Sequence, residues 1–105
     1  MNASVTYPAA QITLRARAYE DIDLGAVSTA LNATKAGNCF RAVIKTDGGG
    51  NLRYLIDGSA PTSTVGTILY DGEQVELSHD DAELFRAIRV GAVNPQLRVV
   101  YLAPL

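Results

Sequence analysis

The sequence predicts an all-β fold, an antiparallel β-sandwich or jelly-roll-like barrel with at most one short helical turn. Three observations carry this. Short runs alternate between apolar and polar residues, turn residues punctuate those runs at close spacing, and no segment keeps a helical period long enough for a long helix. At 105 residues there is room for one domain and one core. That domain is expected over residues 11–105, behind an N-terminal arm at residues 1–10 that ends in Tyr7-Pro8-Ala9-Ala10.

Gln11 to Tyr19 opens the domain as a half-buried strand, with Ile12, Leu14, Ala16 and Ala18 on one face and Thr13, Arg15, Arg17 and Tyr19 on the other. Arg15 and Arg17 are expected to point outward together. Residues 20–38 keep no clear period: Ile22, Leu24, Val27 and Leu31 suit either a short strand and then a loop or a helical turn over Ala26 to Leu31, and the stretch reads as irregular with one turn, closed by Gly37-Asn38. Phe40 to Thr46 alternates again, with Phe40, Ala42 and Ile44 inward. The run Asp47-Gly48-Gly49-Gly50-Asn51 then turns the chain, and Leu52, Tyr54 and Ile56 line the returning strand, so this segment reads as a hairpin with a flexible glycine tip.

A sharp stop at Asp57-Gly58 and a Ser/Thr-rich corner around Pro61 follow, and Val65-Gly66 opens the next strand. This corner reads as a crossing from one sheet to the other. Thr67 to Tyr70 and Gln74 to Leu77 flank Asp71-Gly72, a favoured tight-turn dipeptide, and read as a second hairpin with Val75 and Leu77 inward. Asp80 and Glu83 have capping-box spacing for a single helical turn through about Phe85. Strand patterning resumes over Ala87 to Val90. After the turn at residues 91–95 it closes over Leu97 to Leu102, with Leu97, Val99 and Tyr101 sharing a face.

Composition narrows the function. Hydrophobic residues make up 48% of the chain and charged residues 19%, which argues against disorder and leaves apolar surface for a partner to cover. A net charge of −2 gives no field that would hold a polyanion, so nucleic acid is not an expected partner. Seven of the nine basic residues are arginine, whose planar fork suits interfaces. Cys39 is the only cysteine, so packing rather than an intrachain disulfide must hold the fold, and Cys39 reads as a small buried residue before a strand. The first eight residues lack the layout of a secretion signal and no run reaches the length of a membrane span, so synthesis in a cytoplasm without a membrane partner is expected.

No catalytic, metal or cofactor constellation emerges. His79 is the only histidine, no nucleophile-elbow motif accompanies it, and it reads as a solvated turn residue. One cysteine and one histidine cannot complete a structural zinc tetrahedron. Asp47 with Asn51, or Asp80 with Asp81 and Glu83, offer oxygen atoms without the spacing of a calcium loop. Glu73 and Glu76 fall on opposite faces of one strand and do not flank a cleft. Gly48-Gly49-Gly50 lacks the lysine and helix of a phosphate loop. The sequons at Asn2 and Asn32 read as chance in a chain without a secretion signal. The expectation is therefore no enzyme, no cofactor and no metal. Around Pro61, the hydroxyls of Ser59, Thr62, Ser63 and Thr64 suit local bonds that tie down a long connection, with a partner-binding loop as the alternative.

The order of motifs carries a resemblance. Arg53, Tyr54, Asp57, Gly58, Pro61, Thr62 and Gly66, then Gly72 and Glu73, then Phe85, Arg86, Ile88 and Arg89, and finally Leu97, Val99 and Tyr101 form a pattern over about the last two-thirds of the chain. It resembles small virion proteins of tailed phages and prophages. That resemblance implies a β-sandwich capsid decoration or cement protein on the outside of the virion, made in the cytoplasm of a bacterial host. Its partner would be the major capsid protein, whose neighbouring subunits it clamps after the shell expands. A tail or adaptor module contacting a glycan or receptor is the other reading, although the chain has no tryptophan to offer as a sugar platform. Many copies with modest contacts would hold a shell by simultaneous engagement, and a dimer or trimer would cover spare apolar surface. The candidate contacts are Tyr7, Arg15, Arg17, Ser59, Pro61, Thr62 and Thr64.

Overall fold

Eight strands and two short helices follow one another in the computed structural model, which describes residues 13–105. In chain order these are β1 (Leu14–Asp23), β2 (Thr29–Ala30), α1 (Ala33–Gly37), β3 (Arg41–Asp47), β4 (Leu52–Leu55) and β5 (Thr67–Leu69). Then come β6 (Gln74–Ser78), α2 (His79–Leu84), β7 (Arg86–Arg89) and β8 (Gln96–Pro104). The arm at residues 1–10, Tyr7, and the expected strand start at Gln11 and Ile12 lie outside the described residues.

One antiparallel sheet has the order β1-β8-β3-β6 and the other β2-β7-β4-β5. They face each other as a sandwich and do not close into a barrel. β1 pairs with β8, β2 with β7, β3 with β6 and β4 with β5, so the chain is one long antiparallel ribbon folded over on itself. Its nested pairs are all centred on the loop of residues 56–66. Successive pairs fall in alternate sheets, which is the jelly-roll arrangement.

This topology reverses three expectations. β3 and β4 are not a hairpin, because β3 lies between β8 and β6 while β4 lies in the opposite sheet between β7 and β5. The glycine run is instead a corner between sheets, and its tip is not free. Gly50 is buried, and a Cβ built on it would lie 2.4 Å from the Val93 carbonyl oxygen. The Asp71-Gly72 turn exists, with Glu73 N donating to Tyr70 O at 3.0 Å and Gly72 at φ 86°, but it too links strands of different sheets. Conversely, the Ser/Thr-rich corner connects β4 to β5, which are neighbours in one sheet.

Local boundaries also differ. β1 continues to Asp23, β2 occupies Thr29–Ala30, and the helical turn sits at Ala33–Gly37 rather than over Ala26 to Leu31. Asn32 caps α1 by accepting from Lys35 N at 3.0 Å. There are two helices rather than one, and the cap of α2 is Ser78, which accepts from Asp81 N at 3.3 Å, rather than Asp80. A bulge between Ala16 and Ala18 makes Arg17 an extra residue against β8 and puts Ala16 in register with Leu102, on the outer face. Ala18, beyond the bulge, is half-buried against the core as expected.

The core lies between the sheets and includes Leu24, Ile44, Leu52, Leu77, Phe85, Leu97, Val99 and Tyr101. Tyr54 stacks on Phe85 with ring centroids 5.4 Å apart. Phe40 and Ile56, expected inside, are each 39% exposed, because β3 starts after Phe40 and β4 ends before Ile56. Thr46 is the buried polar residue among these. Its hydroxyl faces Tyr70 O at 3.0 Å and Glu73 O at 3.1 Å, which fastens the β5–β6 corner to β3. No helix among the described residues is long and apolar enough to cross a membrane.

Candidate partner surface

Strand register gathers several candidate residues at one end of the sandwich. Arg41 of β3 sits opposite both Leu102 of β8 and Ser78 of β6, and Leu55 of β4 sits opposite Arg86 of β7. The start of β1, both helices and the loop of residues 56–66 therefore share that end, and α1 packs on α2. Phe40, Ile56 and Leu84 are exposed there. These apolar side chains were not legible as surface, since Phe40 and Ile56 sit just outside the ends of β3 and β4 and Leu84 is the last residue of the short α2.

The loop itself is tied down. Asp57 Oδ1 accepts from Ser59 N at 2.9 Å and from the Ser59 hydroxyl, and these bonds hold the Asp57 carboxyl below the usual carboxylate range. Gly58, at φ 87°, donates its N–H to Leu84 O at 3.1 Å and so fastens the loop to α2. Thr62 and Val65 exchange backbone bonds of 3.0 and 3.3 Å, while Thr62 Oγ1 accepts from Thr64 N and Val65 N. From β4, the Arg53 guanidinium reaches Ser63 O at 3.1 Å and Gly66 O at 2.7 Å. The local tie-down expected of these hydroxyls is thus present for Ser59 and Thr62. Ser59, Thr62 and Thr64 remain exposed, whereas Pro61 is largely buried and forms part of a cleft wall. Beside Pro61, an open cleft of about 360 Å³ runs along Ile88 and Val90.

A second cleft, of about 420 Å³, lies between β1 and α1, with Arg17 and Lys35 on its rim and the Tyr101 ring among its lining. The Lys35 ammonium donates to Tyr19 O at 2.6 Å. Below it, the Tyr101 hydroxyl donates to Glu20 Oε1, which also accepts from Asn32 N at 3.1 Å. Burial first, and Glu20 second, push the Tyr101 phenol well above its ordinary value. Arg15 and Arg17 are both exposed, but not on the outer face of Tyr19 as expected: the bulge sets Arg15 in register with Ala103 and turns Arg17 to the rim of this cleft, beside Ala18 and Tyr101.

His79 is half-buried rather than free in solvent. Its Nδ1 lies 2.9 Å from Cys39 O and its Nε2 3.1 Å from a Glu83 carboxylate oxygen. His79, Asp80 and Glu83 place one possible metal-ligand atom each within 4.8 Å of one another. The Cys39 thiol donates to Ala36 O at 3.2 Å, and burial pushes it up, which opposes thiolate formation beside that histidine. Of the other oxygen sets, Asp47 takes the Arg98 guanidinium at 3.0 and 3.1 Å, which raises the Arg98 pKa, and Asn51 Oδ1 accepts from Asp71 N.

No family model, curated protein or solved structure matches the chain. The surface is therefore read from its own chemistry: exposed apolar side chains and outward hydroxyls on a loop that the fold holds in one shape. Such a surface can dock a partner at little ordering cost.

Proposed function

We propose that this chain is a structural protein of a phage virion, a decoration protein that binds the outside of the capsid and clamps neighbouring major capsid subunits. The observation that supports this reading best is the surface at the α1–α2 end of the sandwich. There Phe40, Ile56 and Leu84 are exposed beside a loop whose backbone is bonded from both sides. A rigid loop with apolar neighbours suits a static clamp, and the jelly-roll architecture recurs in viral capsid domains. The motif pattern running from Arg53 to Tyr101 adds the resemblance to virion proteins.

The test is co-sedimentation of the purified protein with expanded and unexpanded capsids of the phage that encodes it. Saturable binding to expanded shells, reduced at least about tenfold by the double change Ile56→Asp and Leu84→Asp, is the expected result. Binding to neither shell would remove the decoration reading.

A further inference from the structure

We propose that the cleft between β1 and α1 binds a phosphate monoester, with the phosphate held by Arg15, Arg17 and Lys35 and a small organic group against Ala18, Ala103 and Tyr101. The bulge in β1 builds this site. Ala16 lies in register with Leu102 on the outer face and Ala18 with Tyr101 on the inner one, so the extra residue, Arg17, turns with Ala18 towards the cleft. Arg15 lies in register with Ala103, another residue of the cleft wall, and residues directly opposite in a strand pair share a face. Lys35 comes from the other side, on α1. Arginines and a lysine thus meet at one opening of a chain whose net charge is −2.

Like charges gathered in this way repel one another, and the fold answers them only in part. No carboxylate lines the cleft. Glu20 lies beneath it, with its Oε1 taken by the Tyr101 hydroxyl and by Asn32 N. Arg15 and Arg17 have no ion-pair partner among the described residues. The Lys35 ammonium gives one of its N–H donors to Tyr19 O and keeps the others. After Glu20 is counted, an excess of about two positive charges is left, which a phosphate monoester balances and a monocarboxylate does not. Guanidinium forks also match phosphate oxygens two at a time. The cleft, at about 420 Å³, has the size of a small-molecule site, and its apolar wall has room for a compact body such as one ring.

The site does not rest on the virion reading and is tested on the full chain in solution. Phenyl phosphate, inorganic phosphate and benzoate are titrated at constant ionic strength while NMR follows the backbone amide signals of Arg17, Thr34, Lys35 and Asn38. Phenyl phosphate is expected to saturate these shifts with a Kd of about 1 mM or below. Benzoate, which keeps the ring but carries one charge, is expected to bind at least about tenfold more weakly, and inorganic phosphate more weakly than its phenyl ester. Arg17→Gln is expected to weaken phenyl phosphate at least about tenfold while signals far from the cleft stay in place, which separates a lost contact from a lost fold. No saturation by about 10 mM phenyl phosphate, equal binding of benzoate, or unchanged binding in Arg17→Gln overturns the proposal. Inorganic phosphate binding as tightly as its phenyl ester overturns the organic half of the site.

Discussion

Gly50 is needed for the space it leaves. A methyl group there would meet backbone on two sides, the Val93 oxygen at 2.4 Å and the Pro95 nitrogen at 2.7 Å, and backbone cannot swing away as a side-chain tip can. Gly50→Ala is expected to cost about 2–3 kcal/mol and lower the melting midpoint by roughly 10 °C or more. Gly91→Ala, with no atom within 4 Å of its Cβ position, should be nearly silent in the same melt. Tyr101 gives a pH signature. Its folded pKa is raised above the ordinary value of 10.0, so its stabilisation is complete below that pH and falls as pH rises, because the unfolded phenol ionises first. Tyr54, raised by burial, has the same sign. Tyr101→Phe should lose about 1 kcal/mol at neutral pH, by removing the bond to Glu20, and should show a shallower decline of the urea midpoint above about pH 10. An unchanged alkaline decline would assign it to other groups.

Elements were more legible than their partners. Alternation marks β3, β4, β6 and β8 because one face of each is buried, and the Asp71-Gly72 turn lies where its dipeptide put it. Yet a tight turn reports that the chain reverses, not which sheet receives it. Here the receiving sheet is decided by bonds to distant residues, such as Thr46 to Tyr70 and Glu73. β2 has two residues and no period to read, and β1 beyond Tyr19 was lost because Glu20 falls on an inward position. Within the candidate surface, the ordered loop was legible from its hydroxyls and Gly58. The exposure of Phe40 and Ile56 was not, since strand ends cannot be placed to one residue by pattern alone. The loop's order has its own test. Arg53→Met removes both guanidinium bonds to the loop, and cleavage within residues 59–65 by a trace of protease should then accelerate. Global stability should fall by about 2 kcal/mol. Equal cleavage rates would mean that the loop holds its shape without Arg53.

At the scale of the molecule, the folded ribbon sets an order of assembly. β4 and β5 are separated only by the loop of residues 56–66, whereas joining β1 to β8 brings Leu14 to Pro104. Each inner pair shortens the gap the next must close, so growth outward from the loop avoids closing nearly the whole chain in one step. Most pairings still join residues far apart in sequence, which places folding in the range of milliseconds to seconds. A nucleus around β4 and β5 predicts unequal kinetics for two core substitutions. Leu69→Ala, in β5, should mainly slow refolding, while Ile22→Ala, in β1 and packed against the same core, should mainly speed unfolding. Stopped-flow chevrons of the two variants separate these effects. If Ile22→Ala slows refolding as much as Leu69→Ala does, β1 and β8 are already joined at the barrier, and the ribbon closes from its ends rather than from its centre.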